Sequence, residues 1–152
     1  MKKKIILLRG LPGSGKSTIA KKFLDEHPVD YVRISRDDIR RMLSPIWSQD
    51  IEAIVYTIKS SAISNALQRN YNIIVDECHS KLKIEDYYGY ATKYNADIEI
   101  WNVRRDVEQC VAQNNQREGV AKLDPVYIRE LNERFNWSKI NFKDINVTYK
   151  EL

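Results

Sequence analysis

Apolar positions along the chain fall into short blocks separated by longer amphipathic stretches. Ile5 to Leu8 is an unbroken aliphatic run inside Lys3 to Arg9, stopped by Gly10, and it predicts a strand covered on both faces. Ser17 to Leu24 continues as a helix. Tyr31 to Ile34 alternates apolar with polar and predicts a second strand, followed by a short helix over Asp37 to Leu43 that ends near Pro45. Between Asp50 and Arg69, apolar residues recur at Ile51, Ile54, Val55, Ile58, Ala62, Ala66 and Leu67, which is helical spacing with Asp50 as the expected cap. Asn72 to Asp76 predicts a third strand, Ile84 to Tyr94 a helix, and Ile98, Ile100 and Val103 mark a fourth strand. Asp106 to Arg117 and Pro125 to Phe135 follow as helices, and Ile145 to Tyr149 as a fifth strand. Strands alternating with helices predict an α/β fold: a mainly parallel sheet of four to five strands with helices on both faces. Ligands of such sheets sit beyond the carboxyl ends of the strands, so residues 10–17, 35–40 and 76–80 are expected on one rim.

Length and composition narrow the class. A chain of 152 residues is expected to form one domain over 1–152. It is long enough to bury ~70% of its unfolded surface. The longest aliphatic run is far short of the ~20 residues of a membrane span, and Met1-Lys2-Lys3-Lys4 is followed by no long apolar stretch, so neither a membrane partner nor a signal peptide is expected. Two cysteines, Cys78 and Cys110, without CxxC spacing argue against a disulfide framework or a cysteine zinc site. A reducing cytoplasm is the expected compartment (the host's, if the chain is phage-encoded). Net charge is +4, and residues 1–50 hold 11 Lys/Arg against 6 Asp/Glu, so the excess lies in the first third. A polyanionic ligand there, or a merely solvated basic face, would account for it.

The strongest chemical signal is Gly10-Leu11-Pro12-Gly13-Ser14-Gly15-Lys16-Ser17, which fits G-x-x-x-x-G-K-[ST] between a strand and a helix. Glycines let the backbone curl so that successive N–H groups face phosphate oxygens, and the helix start adds a favourable dipole. Lys16 is expected on the β and γ phosphates, and the Ser17 hydroxyl on Mg²⁺. ATP or another NTP is therefore the expected ligand. Beyond the second strand, Arg36-Asp37-Asp38-Ile39-Arg40 offers a carboxylate to accept a proton from a hydroxyl acceptor. Asp37 or Asp38 could instead serve as an N-cap, and Asp38 could pair with Arg41. Arg40, three residues after Asp37, shares its helix face and can grip an anion bidentately. Asp76, at the end of the third strand, can hold Mg²⁺ through water or orient the acceptor.

Residues 11–18, ending in Thr18, together with Arg36-Asp37-Asp38-x-Arg40, resemble the kinase domain of bacteriophage-type 5′-polynucleotide kinases of the P-loop kinase superfamily. The similarity runs from Met1 to about Phe135. The resemblance implies a P-loop kinase fold with a helical lid and ATP-dependent phosphoryl transfer to the 5′-hydroxyl of DNA or RNA. It implies that Asp37 is the general base, that Arg36, Arg40 and Asp76 address the acceptor, and that Gly10, Pro12, Gly13, Ser14, Gly15, Lys16, Ser17 and Thr18 hold the nucleotide. It also implies that Arg117, in the stretch before Asp124-Pro125, neutralises the transferring phosphoryl, with Arg104 and Arg105 as second candidates. Two departures stand out. Glu77-Cys78-His79 replaces the family's small polar residue and asparagine, and Gln113 stands where a basic residue is common. No Asp-x-Asp-Gly-Thr phosphatase motif occurs, so kinase activity without 3′-phosphatase activity is expected.

Other residues read more plainly. His79 is expected as an exposed loop histidine and Cys78 as a small buried residue. Trp47 could stack a nucleobase of a single-stranded substrate, although core packing is the commoner use of such aromatics, as for the tyrosines between 87 and 94. Tyr127, Leu131 and Phe135 follow i, i+4, i+8 spacing and are expected in the core. Two other functions fit the same motifs: a P-loop kinase for another hydroxyl, such as 5-hydroxymethyluracil in DNA, a nucleoside or a sugar, and a nucleotide-binding switch without transfer. The expected partner is single-stranded or end-exposed nucleic acid; oligomeric state is not legible.

Overall fold

The computed structural model describes residues 2–81 and 83–152. Five strands form one parallel sheet in the order β2-β3-β1-β4-β5: β1 Lys3–Arg9, β2 Tyr31–Ser35, β3 Asn72–Asp76, β4 Ala96–Asn102 and β5 Val147–Glu151. Helices α1 Lys16–Glu26, α2 Arg36–Leu43, α3 Gln49–Gln68, α4 Ile84–Tyr94, α5 Val107–Asn115 and α6 Pro125–Glu133 connect them, with a 3₁₀ turn at Gly119–Ala121. The fourth strand starts two residues before Ile98 and ends before Val103, and the fifth starts two residues after Ile145. The elements expected from the sequence are otherwise where their patterns put them.

The aliphatic run of β1 is explained by its central place. Ile5 and Leu7 face one side and register with Ile73 and Val75 of β3 and with Ile98 and Ile100 of β4. That side packs on Ile63, Ala66 and Leu67 of α3 and on Ile84, Tyr87 and Ala91 of α4. Ile6 and Leu8 face the other side, with Ile74, Trp101 and Ala20 of α1. Alternation by two therefore serves two cores, and both need apolar side chains. Each fully buried Ile or Leu contributes ~1.5–3 kcal/mol, so a single polar change in β1 would remove much of the net stability.

Two local readings change. α3 buries Val55, Ile63, Ala66 and Leu67, whereas Ile54 is exposed. Its N-cap is Ser48, whose hydroxyl accepts from the Ile51 N–H at 3.1 Å, and Asp50 sits in the first turn. Arg9 is fully buried with no acidic partner among its contacts. Its Nε donates to Asn102 Oδ1 (2.7 Å), and its Nη atoms donate to the carbonyls of Asn136, Trp137 and Ser138 at 3.2, 3.2 and 2.9 Å. Four acceptors satisfy the guanidinium and fasten the segment after α6 to the end of β1. No described helix is long and apolar enough to cross a membrane.

Candidate active site

Residues 10–17, 35–40 and 76–80 meet at the carboxyl ends of β1, β2 and β3, as expected for a parallel sheet. They surround a cleft of about 970 Å³. Its lining carries nine Lys or Arg side chains and four Asp or Glu, a surplus larger than the +4 of the whole chain. The protein's surplus of positive charge is thus concentrated at this cleft.

The loop from Gly10 to Gly15 has the shape its glycines permit. Gly13 and Gly15 have φ of +82° and +96°, in the left-handed region that disfavours other residues. A Cβ on Gly13 would stand 2.3 Å from the Cys110 carbonyl oxygen, and one on Gly10 would stand 2.5 Å from that of Val103. The loop is thus pressed between α5 and the end of β4. Helix α1 begins at Lys16, one residue earlier than its pattern suggested, so its first turn opens into the cleft. Lys16 is 7% exposed; its Nζ donates to the Leu11 carbonyl at 2.7 Å and lies 3.4 Å from Ser14 Oγ. The ammonium is curled over the loop and rests on neutral oxygens of the loop itself. Ser17 and Thr18 are exposed to the cleft.

On the opposite wall, Ser35 caps α2, its hydroxyl accepting from the Asp38 N–H at 3.3 Å. Neither aspartate is the cap. Asp38 accepts from Arg33 Nη1 at 2.6 Å and also pairs with Arg41. Asp37 is left facing the cleft, 61% exposed at its side chain, with Arg40 Nη1 at 2.6 Å. Arg40 is held on its other side by Glu52 of α3, through Nε and through Nη2 at 3.0 Å, and Arg36 Nη2 reaches the same carboxylate at 2.7 Å. One carboxylate therefore organises both arginines expected on the acceptor. Those bonds, chiefly the one from Arg40, hold the Glu52 carboxyl down at about 2 against its usual 4.5. Because the folded value is depressed, this contribution to stability is complete above pH 4.5 and fades as pH falls toward 2. Glu52→Gln is expected to flatten the loss of thermal stability across that window, measured as Tm against pH in both proteins.

Asp76 is buried, and its Oδ2 accepts from Arg33 Nη2 and Nε at 2.6 and 3.1 Å. Arg33 thus ties Asp76 to Asp38 and fixes the end of β3 against the start of α2. Next to it, Glu77 Oε1 lies 2.5 Å from Lys59 Nζ of α3. His79 is not the exposed loop residue that its surroundings suggested. Its side chain is 6% exposed, with Nδ1 2.5 Å from the Leu8 carbonyl and Nε2 3.1 Å from the Tyr87 hydroxyl. A carbonyl can only accept, so Nδ1 carries the proton and Nε2 accepts from Tyr87. Burial pushes its pKa down, which keeps the ring neutral. These bonds hold His79 at φ +50°, a backbone state that L-residues visit at a cost of ~1 kcal/mol or more. Cys78 is half-buried at the cleft floor, and burial raises its thiol pKa, so it stays protonated and weakly reactive.

From the remaining wall, Arg117, Gln113 and Arg105 face the cleft. The Arg105 guanidinium is 3.6 Å from the point where a Cβ on Gly15 would be. Arg104 points elsewhere, over the Trp137 ring and onto Glu151. Among the aromatics, Leu131 and Phe135 join the α5–α6 core as expected, but Tyr127 is 43% exposed and lines the cleft. Trp47 is likewise outside the core, 62% exposed and on the cleft wall. Arg33, Glu52, Lys59 and Tyr56 were not singled out by sequence pattern. Glu52, Tyr56 and Lys59 follow i, i+4, i+7 spacing, which could have marked a polar helix face turned to a ligand.

A family model described as an AAA domain, AAA_33, matches residues 5–135. The chain belongs to that family. The AAA-domain chain is also 33% identical over 136 residues to the L-seryl-tRNA(Sec) kinase of Methanococcus maripaludis, covering 87% of this chain and 52% of that protein. Its fold is similar to a chain in the Pnkp1/Rnl/Hen1 complex, with TM-score 0.68 and 29% identity over 99% of this chain and 47% of the other. It is similar also to Chaetomium thermophilum Kti12 in complex with ADP-AlF3, with TM-score 0.65 and 18% identity over 97% and 88%. The AAA-domain chain spans about half the length of the tRNA kinase and of the Pnkp1-complex chain. Its architecture is the P-loop kinase fold, the α/β class that the strand and helix pattern predicted.

Proposed function

We propose that this AAA-domain chain transfers the γ-phosphoryl group of ATP to the 5′-hydroxyl end of DNA or RNA. The observation that carries the reading is that the phosphate loop and the Asp37–Arg40 pair line one cleft. In this reading Gly10, Pro12, Gly13, Ser14, Gly15 and Thr18 hold the nucleotide, and Lys16 takes the β and γ oxygens. Asp37 accepts the proton of the attacking hydroxyl, Arg36 and Arg40 receive the acceptor's phosphate, and Arg117 neutralises the group in flight. Catalysis is then positioning and charge neutralisation.

The residues present suit Mg²⁺. The Ser17 hydroxyl faces the cleft, and Arg33 engages only Oδ2 of Asp76, which leaves Oδ1 to a metal-bound water. No group of three or more His, Cys, Asp or Glu that could hold a metal occurs among the described residues, and the Ser17 hydroxyl, with Asp76 through water, would hold the ion. When bound, the ion offsets charge on the β and γ oxygens.

A second acceptor, the seryl hydroxyl of an aminoacylated tRNA, is favoured by the 33% identity to a protein of that name. Labelled ATP supplied with 5′-hydroxyl RNA, 5′-hydroxyl DNA, seryl-tRNA, a nucleoside and a sugar separates these readings. Label on the oligonucleotide ends supports the proposal. Label on seryl-tRNA alone replaces it, and ATP binding without transfer to any acceptor leaves a nucleotide-dependent switch.

A further inference from the structure

Two large aromatic side chains on the acceptor wall have no role in the chemistry above. Trp47, in the loop between α2 and α3, is 62% exposed, and Tyr56, on the cleft face of α3, is 63% exposed. Both line the cleft, whereas the neighbouring exposed apolar residues Met42 and Ile46 do not. Neither ring has an aromatic or cationic partner among the described residues, although the fold pairs rings elsewhere, as in Phe23 on Trp101. Leaving such apolar area in water costs ~25 cal/mol per Å², which a stacked ligand would recover. Arg36 and Arg40 line the same cleft and share the Glu52 carboxylate, one turn before Tyr56 on α3, and Lys59 lies one turn beyond it. The wall thus sets exposed rings beside arginines and a lysine that are held in ion pairs. An unpaired polynucleotide offers a partner to both, π-faces to the rings and phosphates to the cations.

Resting on the proposed function, we infer that Trp47 and Tyr56 are stacking platforms for unpaired bases of a single-stranded acceptor, and that they set specificity for nucleic-acid ends over small hydroxyl compounds. The acceptor's backbone phosphate meets Arg36 and Arg40. A base-paired end would have to open before its bases could reach the rings. Stacking is indifferent to base identity, so the site reads strandedness, not sequence.

The test uses a short 5′-hydroxyl oligouridylate and the same oligomer with abasic sugars at its first positions. Trp101 is buried and Trp137 is stacked on Phe135, so the exposed Trp47 is the indole a ligand in the cleft reaches, and subtracting the emission of Trp47→Phe isolates its share. The oligouridylate is expected to quench that emission, and the abasic oligomer to do so about tenfold more weakly. Tyr56→Ala is expected to weaken binding about tenfold, and Tyr56→Phe to restore it, because a phenyl ring still stacks. In the transfer assay Trp47→Ala and Tyr56→Ala are expected to raise KM for the oligomer about tenfold each, with kcat and KM for ATP unchanged. Equal binding of the intact and abasic oligomers, or unchanged KM in both alanine variants, overturns the inference. Ring-dependent binding without phosphoryl transfer removes the kinase proposal and leaves the stacking site standing.

Discussion

Asp37→Asn is expected to lower phosphoryl transfer about 10³-fold while leaving ATP affinity unchanged. The substitution keeps the shape and keeps an oxygen that can accept from Arg40 Nη1, now at 2.6 Å. What it removes is a group able to take the proton of the attacking alcohol. Asp37 is mostly exposed and its ion pair with Arg40 is three residues apart on a surface helix, an arrangement worth under ~1 kcal/mol. The fold should therefore survive, and the whole effect should fall on turnover. Single-turnover transfer measured beside equilibrium ATP binding decides it. A variant with wild-type turnover would remove Asp37 as base and leave it as the holder of Arg40.

Arg117→Ala is expected to cost about 10³-fold in kcat, the scale of an arginine that meets charge only in the transition state. Arg117 lies half-buried between α5 and the 3₁₀ turn, facing the cleft. Arg105 faces the same space from the end of β4 but sits beside Gly15, in the loop proposed to hold the phosphates in the ground state. Arg105→Ala is therefore expected to weaken ATP binding more than it slows transfer. Kinetics of both variants, with ATP dissociation constants measured separately, separate the roles. The opposite pattern would exchange them.

How much of this was legible beforehand depended on whether the signal was local. The phosphate loop was legible because its demands are local: two positive φ angles and two close approaches that no Cβ fits. The double-sided core of β1 was legible for the same reason, since a continuous aliphatic run has few other uses. His79 was misread because its partners, Leu8 and Tyr87, are distant in sequence and come together only when β3 joins β1 and α4 covers it. Tyr127 was misread in the other direction. Helical spacing says which residues share a face, but not whether that face meets a core or a cleft.

The amino-acid order by itself determined the α/β alternation, the anion-binding loop and the carboxylate three residues before an arginine, because each is set by backbone sterics or by neighbours within one helical turn. Only the tertiary structure decided that Glu52 gathers Arg36 and Arg40, that Arg33 joins Asp76 to Asp38, and that two exposed rings line the same cleft. Those contacts join residues far apart in the chain. Their energies depend on the dielectric and geometry of a cleft that exists only once the sheet has assembled.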